Sequence, residues 1–196
     1  MFTHGATMDH GLFDYQVEHF ADRYKVINWD VPAHGLSRPY RDFSLQNSSD
    51  VLFELLQKEK VIRAHPVGQS MGGYISQVLA ADHPEIVDSL TVIGSSPIQL
   101  SYYSLLDRRL LAITPDLLKF YKYETMINLI ASQIAITSRS KDYALKTLSG
   151  MTRTEISTIM GAVYGGLIQY DKGTLDCPVL ITYGDSDRTG KVKQYC

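Results

Sequence analysis

Short apolar runs alternate with amphipathic patterns through the first 97 residues and again near the end of the chain. Runs rich in valine, isoleucine and leucine predict buried strands, and apolar residues at intervals of three and four predict helices. Strands are predicted at residues 24–29, 61–67, 87–94 and 179–183, and helices at 12–21, 45–58 and 71–81. This alternation is typical of an α/β fold in which helices flank a mostly parallel sheet.

The alternation stops after residue 97, and residues 98–171 carry helical patterns without a convincing strand. Thr114 and Pro115 predict the start of one helix, and Thr152 with Glu155 predicts a capping box at the start of another. Isoleucines at 127, 130 and 134 continue an apolar face. We therefore predict a helical lid at 98–171, inserted into a core made of residues 1–97 and 172–196. The apolar faces of its helices suit packing on the sheet and lining a substrate pocket equally well.

Gly68-Gln69-Ser70-Met71-Gly72 lies between a predicted strand and a predicted helix. In that context Gly-x-Ser-x-Gly predicts a nucleophile elbow, a sharp turn that lifts the serine hydroxyl clear of the sheet. Such a turn strains the serine backbone, and side chains at positions 68 and 72 would collide with neighbouring elements. Ser70 is therefore the candidate nucleophile, with Gly68 and Gly72 as the glycines of the elbow.

Composition narrows the function classes. The chain has 44% hydrophobic and 20% charged residues, which is typical of one globular domain at 196 residues. Nineteen basic and twenty-one acidic residues give a formal net charge of -2. The chain therefore has no broad positive field that would attract nucleic acid or a membrane surface. Two cysteines are too few for a disulfide framework and predict a reducing, cytoplasmic location. A small molecule is the expected partner, and the sequence does not determine an oligomeric state.

Four matches in chain order make the sequence resemble the α/β-hydrolase family. They are His4-Gly5-Ala6, DVPAHGLSR at 30–38, the elbow at 68–72, and CPVLITYGDSD at 177–187. The resemblance implies a serine hydrolase in which Ser70 forms an acyl-enzyme with an ester or related acyl compound, and in which Asp187 is the triad carboxylate. Asp185 is the alternative carboxylate. The resemblance also implies an oxyanion hole made by the N–H groups of Ala6 and Met71, with no metal ion and no cofactor.

A serine at position 70 argues against epoxide hydrolases and haloalkane dehalogenases, because those members of the family attack with an aspartate. Thioesterases, carbon-carbon bond hydrolases and cofactor-free haloperoxidases share the serine machinery and stay open alongside esterases. Which of these substrates the chain would accept therefore depends on the predicted lid rather than on the triad.

The family's catalytic histidine follows the triad acid by some tens of residues, yet no histidine follows Asp187. The family also has further strands before the motif that begins at His4. We therefore expect a fold that is incomplete at both termini and in which residues 179–183 form an exposed edge strand. The alternative function is a catalytically incompetent hydrolase fragment or a non-catalytic ligand-binding relative. Under that alternative, the chain would cleave short esters no faster than its Ser70→Ala variant.

Overall fold

The computed structural model describes residues 1–117, 120–171, 174–187 and 192–195. Its centre is a five-stranded sheet with the order β2-β1-β3-β4-β5. The strands are β1 (Phe2–Thr3), β2 (Asn28–Trp29), β3 (Val67–Gln69), β4 (Leu90–Ile93) and β5 (Val179–Thr182). All neighbouring strands are parallel, which confirms the predicted fold class.

Helices pack around this sheet and fill the segment between β4 and β5. They are α1 (Asp14–Phe20), α2 (Leu45–Lys58), α3 (Met71–Asp82), α4 (Leu105–Leu117), α5 (Tyr123–Ile134), α6 (Ser138–Ser149), α7 (Arg153–Leu167) and α8 (Val192–Tyr195). The prediction of α2 is confirmed at both ends. Ser44 caps this helix by accepting the N–H of Asn47 at 3.0 Å, and Leu52 and Leu56 are fully buried on its inner face.

The strands are shorter than the apolar runs that predicted them. β3 starts only at Val67, because Pro66 has no N–H to give to a neighbouring strand. The carbonyl of Pro66 still accepts the N–H of Thr91 at 2.9 Å. Earlier in the same run, Ala64 makes only an isolated bridge to Val87. The apolar pattern therefore marks the buried run but not the part of it that joins the sheet.

β1 is an interior strand of the sheet, between β2 and β3, although it has only two residues. The main chain around it adds further bonds to both neighbours. Phe2 N–H donates to the carbonyl of Ile27 at 2.8 Å, and the carbonyl of Met1 accepts the N–H of Val67 at 2.9 Å. The first residues of the chain therefore satisfy backbone groups that a shorter segment would leave unpaired.

The predicted helix start at Thr114 and Pro115 is wrong, because Pro115 lies inside the last turn of α4. The helix begins at Leu105, after a reciprocal pair of hydrogen bonds. Asp107 N–H donates to the Ser104 hydroxyl at 3.2 Å, and the Asp107 carboxylate accepts the N–H of Ser104 at 3.1 Å. The capping box predicted at the start of α7, by contrast, is confirmed.

One hydrophobic core joins the sheet-flanking helices to the helices of residues 98–171. Leu52 of α2 and Ile75 of α3 belong to the same cluster as Met126 of α5 and Ile156 of α7, and all four side chains are fully buried. The segment that we predicted as a lid therefore packs on the main core. Its role as a lid stays a prediction.

β5 is the outer strand at one side of the described sheet, and its residues are exposed, with Leu180 at 59%. This agrees with the expected edge strand, whose free backbone groups favour association. None of the helices in the described ranges combines the length and apolar character that a bilayer span needs.

Candidate active site

Ser70 lies at the turn between β3 and α3 in a strained backbone conformation, with φ 50° and ψ -115°. Residues other than glycine rarely adopt a positive φ, so contacts with the surrounding structure have to hold Ser70 in this conformation. The two elbow glycines permit the turn. A Cβ at Gly68 would overlap the backbone of Gly72, and a Cβ at Gly72 would overlap the carbonyls of Thr3 and His4. The positive φ of Ser70 and the close approaches at both glycines are the geometry that a nucleophile elbow would need, and the role of the turn in catalysis stays a prediction.

Hydrogen bonds from the end of β4 hold the Ser70 backbone. The N–H of Ser70 donates to the carbonyl of Ile93 at 2.9 Å, and the hydroxyl of Ser95 donates to the carbonyl of Ser70 at 2.8 Å. The Ser95 side chain is buried, and the sequence analysis did not identify its role. Its only sequence signal is a small hydroxyl residue immediately after a strand that neighbours the elbow. The strained residue is thus fixed on both sides of its Cα.

The loop of Gly5 and Ala6 lies directly beside the elbow. A Cβ at Gly5 would overlap the amide end of Gln69, so the Gln69 side chain lies against this loop. Among the described residues, neither the N–H of Ala6 nor that of Met71 donates a hydrogen bond. Two unpaired N–H groups next to a candidate nucleophile are what stabilisation of an oxyanion requires.

Asp187 lies at the same edge of the sheet as Ser70, because β3, β4 and β5 are neighbouring parallel strands. The Asp187 carboxylate is 3.3 Å from the position of a Cβ on Gly94, the residue directly after β4. Asp187 N–H donates to the carbonyl of Gly184 at 2.9 Å, and its side chain is half-buried. Asp185, the alternative carboxylate, is exposed. Position and burial both favour Asp187 over Asp185.

All six histidines lie in the described ranges, and none of them bonds Ser70. Hydrogen bonds join His4 to Gly5 and Val31, His10 to Asp30, His34 to Pro32, and His65 to Ser89. The ring of His19 meets that of Phe20 edge to face, and the ring of His83 stacks on Phe53. None of the six histidines therefore forms the hydrogen bond to Ser70 that a general base would need.

A buried polar cluster supports the loops beside the elbow. His4 Nε2 accepts the N–H of Val31 at 3.0 Å, and because that nitrogen is an acceptor, Nδ1 carries the proton and donates to the carbonyl of Gly5 at 2.9 Å. Asp30 accepts the backbone N–H of His10 at 2.7 Å and that of Leu36 at 2.8 Å. No motif in the sequence indicates the pairing of His10 with Asp30.

The charges of this cluster follow from burial and hydrogen bonding. Burial lowers the pKa of His34 to about 3 and also lowers the pKa of His4, so both rings are neutral at pH 7. Burial alone would raise the pKa of the Asp30 carboxyl, but N–H donors from Leu36 and His10 outweigh it and lower the pKa. The hydrogen bond to Asp30 raises the pKa of His10.

Lowering the pH from 6.5 to 5 is expected to destabilise the protein through His34. Its pKa is 6.5 when unfolded and about 3 when folded, so below pH 6.5 the unfolded chain binds a proton that the folded chain does not. The free energy of unfolding should fall by about 2 kcal/mol between pH 6.5 and pH 5 from this group alone. His34→Asn keeps a donor for the carbonyl of Pro32 and should flatten the dependence, measured by urea unfolding at each pH. An unchanged slope in this variant would contradict the prediction.

Ser70 lines neither of two cavities, although Ser95, whose hydroxyl bonds the Ser70 carbonyl, is among the residues that line the second. The larger, of about 580 Å³, is between α4 and α7 and is lined in part by Pro115 and Gly161. The second, of about 320 Å³, lies beside β4 and β5 and is lined in part by Gln77 and Ile181. Because Ser70 lines neither cavity, neither is assigned as the substrate pocket. The described residues also contain no group of three or more side chains suited to hold a metal ion.

Comparison with known sequences agrees with this geometry. The sequence profile of the alpha/beta hydrolase fold matches residues 1–196. Pimeloyl-[acyl-carrier protein] methyl ester esterase from Chromobacterium violaceum is 36% identical over 94 residues, which are 48% of this chain and 35% of that enzyme. 3-Oxoadipate enol-lactonase 1 from Acinetobacter baylyi is 29% identical over 96 residues, which are 49% of this chain and 36% of that enzyme. The matched regions are thus about a third of each relative's length.

Solved structures share the fold. A hydrolase from Pseudomonas aeruginosa superposes with a TM-score of 0.74 at 16% identity, covering 93% of this chain and 70% of that structure. Its sheet and helices support the architecture, while its low identity limits the comparison to the fold. Because the family profile matches the whole sequence and the observed sheet has the same architecture, this chain belongs to the alpha/beta hydrolase fold family, with esterases and other hydrolases as its homologues.

Proposed function

We propose that the chain carries the acylation site of a serine hydrolase that cleaves small carboxylic esters or lactones. The observation that carries this proposal is the strained Ser70, fixed at its N–H and its carbonyl and placed beside two unpaired backbone N–H groups. Strain of this kind persists only where the surrounding structure maintains it, and it clusters at reactive sites. The esterase and lactonase among the relatives support cleavage of a bond between an acyl carbon and an oxygen.

In the proposed reaction, Ser70 Oγ attacks the carbonyl carbon of the ester while its proton passes to a general base. The carbonyl oxygen becomes negative and accepts hydrogen bonds from the N–H groups of Ala6 and Met71. Collapse of this intermediate expels the alcohol, which takes up the proton, and leaves the acyl group on Ser70. Water then attacks the acyl-enzyme, releases the carboxylic acid and restores the serine.

Asp187 is the proposed carboxylate that orients the base and stabilises its positive charge. No histidine of this chain contacts Ser70, so none of the six has the position of that base. This observation favours the second candidate function, a relative that binds a ligand at the same site without turning it over. The helices of residues 98–171 remain the proposed lid, whose inner side would determine which acyl group reaches Ser70.

A test separates the two functions by supplying the base in solution. The intact 196-residue chain is incubated with a fluorophosphonate, and the mass of the adduct and its position are measured with and without imidazole. We expect slow labelling confined to Ser70 and at least a tenfold faster rate with imidazole, because the elbow and the N–H groups are already in place. Without imidazole, turnover of p-nitrophenyl acetate should equal that of Ser70→Ala.

The matched control is Ser132→Ala, which removes an exposed serine on α5 and should leave labelling unchanged. Ser70→Ala should remove the adduct. Absence of an adduct at Ser70 under both conditions, in a chain with native circular dichroism, would contradict the proposed hydrolase and favour the ligand-binding relative.

A further inference from the structure

The loop that carries Ala6 is held in a strained conformation. Thr7, directly after Ala6, has φ 64° and is 2% exposed, and residues other than glycine rarely adopt such a φ. The Thr7 hydroxyl donates to the carbonyl of Ala6 at 2.6 Å, and the N–H of Met8 donates to the carbonyl of Gly5 at 3.2 Å. We call residues 5–9 the Ala6 loop. Contacts at its two ends have to maintain this conformation.

His4 holds the first end of the Ala6 loop by donating to the carbonyl of Gly5, and Tyr143 of α6 holds the second end. The Tyr143 hydroxyl accepts the N–H of Asp9 at 3.3 Å. The same hydroxyl oxygen lies 2.7 Å from the Asp9 carboxylate and 3.1 Å from the Asp9 carbonyl, and its single proton is donated to one of these two acceptors. One side chain of α6 therefore contacts the N–H, the carbonyl and the side chain of Asp9.

Tyr143 is protonated, and its helix is packed against the Ala6 loop. Burial and the hydrogen bond to Asp9 raise the pKa of Tyr143, so at neutral pH the hydroxyl keeps the proton that it donates. One turn later on α6, the Thr147 hydroxyl lies 3.7 Å from Sδ of Met8. Met8 is buried in the same core cluster as Leu148 of α6. Polar and apolar contacts thus join α6 to a loop that is more than 100 positions away in the sequence.

We propose that Tyr143 is a positioning residue for the oxyanion donor of Ala6. By holding Asp9, the Tyr143 hydroxyl keeps the Ala6 loop in its strained form and keeps the N–H of Ala6 in place for the carbonyl oxygen of the substrate. This inference rests on the proposed function, because it assigns a role in the same acylation step. Docking of α6, which belongs to the segment predicted as a lid, thereby determines whether the donor is in position.

The competing interpretation is that Tyr143 only anchors α6 to the body of the fold. Its hydroxyl would then matter no more for the reaction than another half-buried hydroxyl of the same helical segment. Tyr123 of α5 provides that comparison, because its hydroxyl lies 3.1 Å from the carbonyl of Leu148 and 2.7 Å from that of Met151. These carbonyls are at the end of α6 rather than in the Ala6 loop. Phenylalanine at either tyrosine removes one hydroxyl and leaves the ring.

Fluorophosphonate labelling of Ser70 in the presence of imidazole tests the proposal on the full chain and on its Tyr143→Phe and Tyr123→Phe variants. The phosphoryl oxygen of the reagent needs the same oxyanion hydrogen bonds as the ester carbonyl. Loss of a whole donor slows such a reaction by roughly 100- to 1000-fold, so the partial displacement in Tyr143→Phe should slow labelling by about tenfold. Tyr123→Phe should label at the wild-type rate.

The state of the Ala6 loop is measured separately, by hydrogen exchange of the Met8 amide. This N–H bonds the carbonyl of Gly5 rather than the Tyr143 hydroxyl, so it reports the loop and not the bond that the substitution removes. Exchange at Met8 should be at least about fivefold faster in Tyr143→Phe than in wild type, because the loop opens more often. Tyr123→Phe should leave it unchanged.

The results distinguish failure of this inference from failure of the proposed function. A wild-type chain without an adduct at Ser70 overturns both. A labelled wild-type chain overturns the positioning role alone if Tyr143→Phe does not slow labelling, or if Tyr123→Phe slows it equally. Slower labelling of Tyr143→Phe with unchanged exchange at Met8 also overturns that role. So does a Tyr143→Phe chain without native circular dichroism, because the hydroxyl would then serve the whole fold.

Discussion

Replacing Gly72 with alanine is expected to lower the free energy of unfolding by about 3 kcal/mol, at the upper end of the range for overpacking. The new Cβ would overlap the backbone carbonyls of Thr3, the last residue of the interior strand β1, and of His4, which follows it. Backbone atoms in the middle of a sheet cannot move aside as a flexible side chain can. To accept the methyl group, α3 has to shift away from β1, which disturbs the core between them.

The matched control is Gly165→Ala, an identical chemical change on α7 at a position where a Cβ meets no atom within 4 Å. Alanine in a helix interior stabilises by about 0.5 to 1 kcal/mol relative to glycine, so this variant should be slightly more stable than wild type. Urea unfolding followed by circular dichroism measures both. Equal effects of the two substitutions would show that helix propensity, rather than the close approach of α3 and β1, determines the result.

Replacing His4 with alanine is expected to lower the free energy of unfolding by about 3 to 4 kcal/mol. The ring is fully buried and joins two loops, accepting the N–H of Val31 and donating to the carbonyl of Gly5. Alanine leaves a cavity and a buried N–H without an acceptor. Because the Gly5 carbonyl belongs to the loop that carries Ala6, the loss should also disorder one of the proposed oxyanion donors.

Amide hydrogen exchange gives this prediction a local readout. In His4→Ala, the N–H of Val31 should exchange at least tenfold faster than in wild type, even under conditions where the chain stays folded. His19→Ala removes an exposed histidine on α1 and should change neither global stability nor exchange at Val31. Retained protection of Val31 in the His4 variant would mean that another group holds this amide.

Local sequence rules predicted those elements whose determinants are themselves local. The bounds of α2 follow from a serine cap and apolar residues at helical intervals within one segment. The elbow at Ser70 is predictable for the same reason, because two glycines and a serine fix its geometry within five residues. The capping box between Thr152 and Glu155 is a third example.

Elements determined by distant contacts were predicted less well. Pro115 suggested a helix start, yet the helix begins earlier because Ser104 and Asp107 cap it, and the proline is accommodated in the last turn against Gly161. β1 lies between β2 and β3, and Met1 and Phe2 bond segments from different parts of the chain. Neither fact is visible in a window of ten residues.

In the candidate site, too, the residues within a motif could be predicted from the sequence, and the residues joined by distant contacts could not. The nucleophile, its glycines and the candidate carboxylate could be named from motifs, and the structure brings the loop of Ala6 and the elbow together. The pairing of His10 with Asp30 and the bond from Ser95 to the Ser70 carbonyl join residues that are about 20 positions or more apart, so no motif contains them. The serine acyl-enzyme mechanism and the role of Asp187 remain predictions, and the labelling experiment addresses the reactivity of Ser70 first.

The two hydrogen bonds that join Ile93 and Ser95 to Ser70 make the position of the candidate nucleophile depend on one short stretch of chain. The carbonyl of Ile93 accepts the N–H of Ser70, and the hydroxyl of Ser95 donates to the carbonyl of Ser70. Both residues lie just before the chain leaves the sheet for the helices that follow. Substitutions between residue 97 and β5 that preserve the packing of these helices on the shared core should therefore leave both hydrogen bonds to Ser70 in place. Deleting one residue between positions 90 and 95 would instead shift the groups that bond Ser70 by one position and displace the Ser70 hydroxyl.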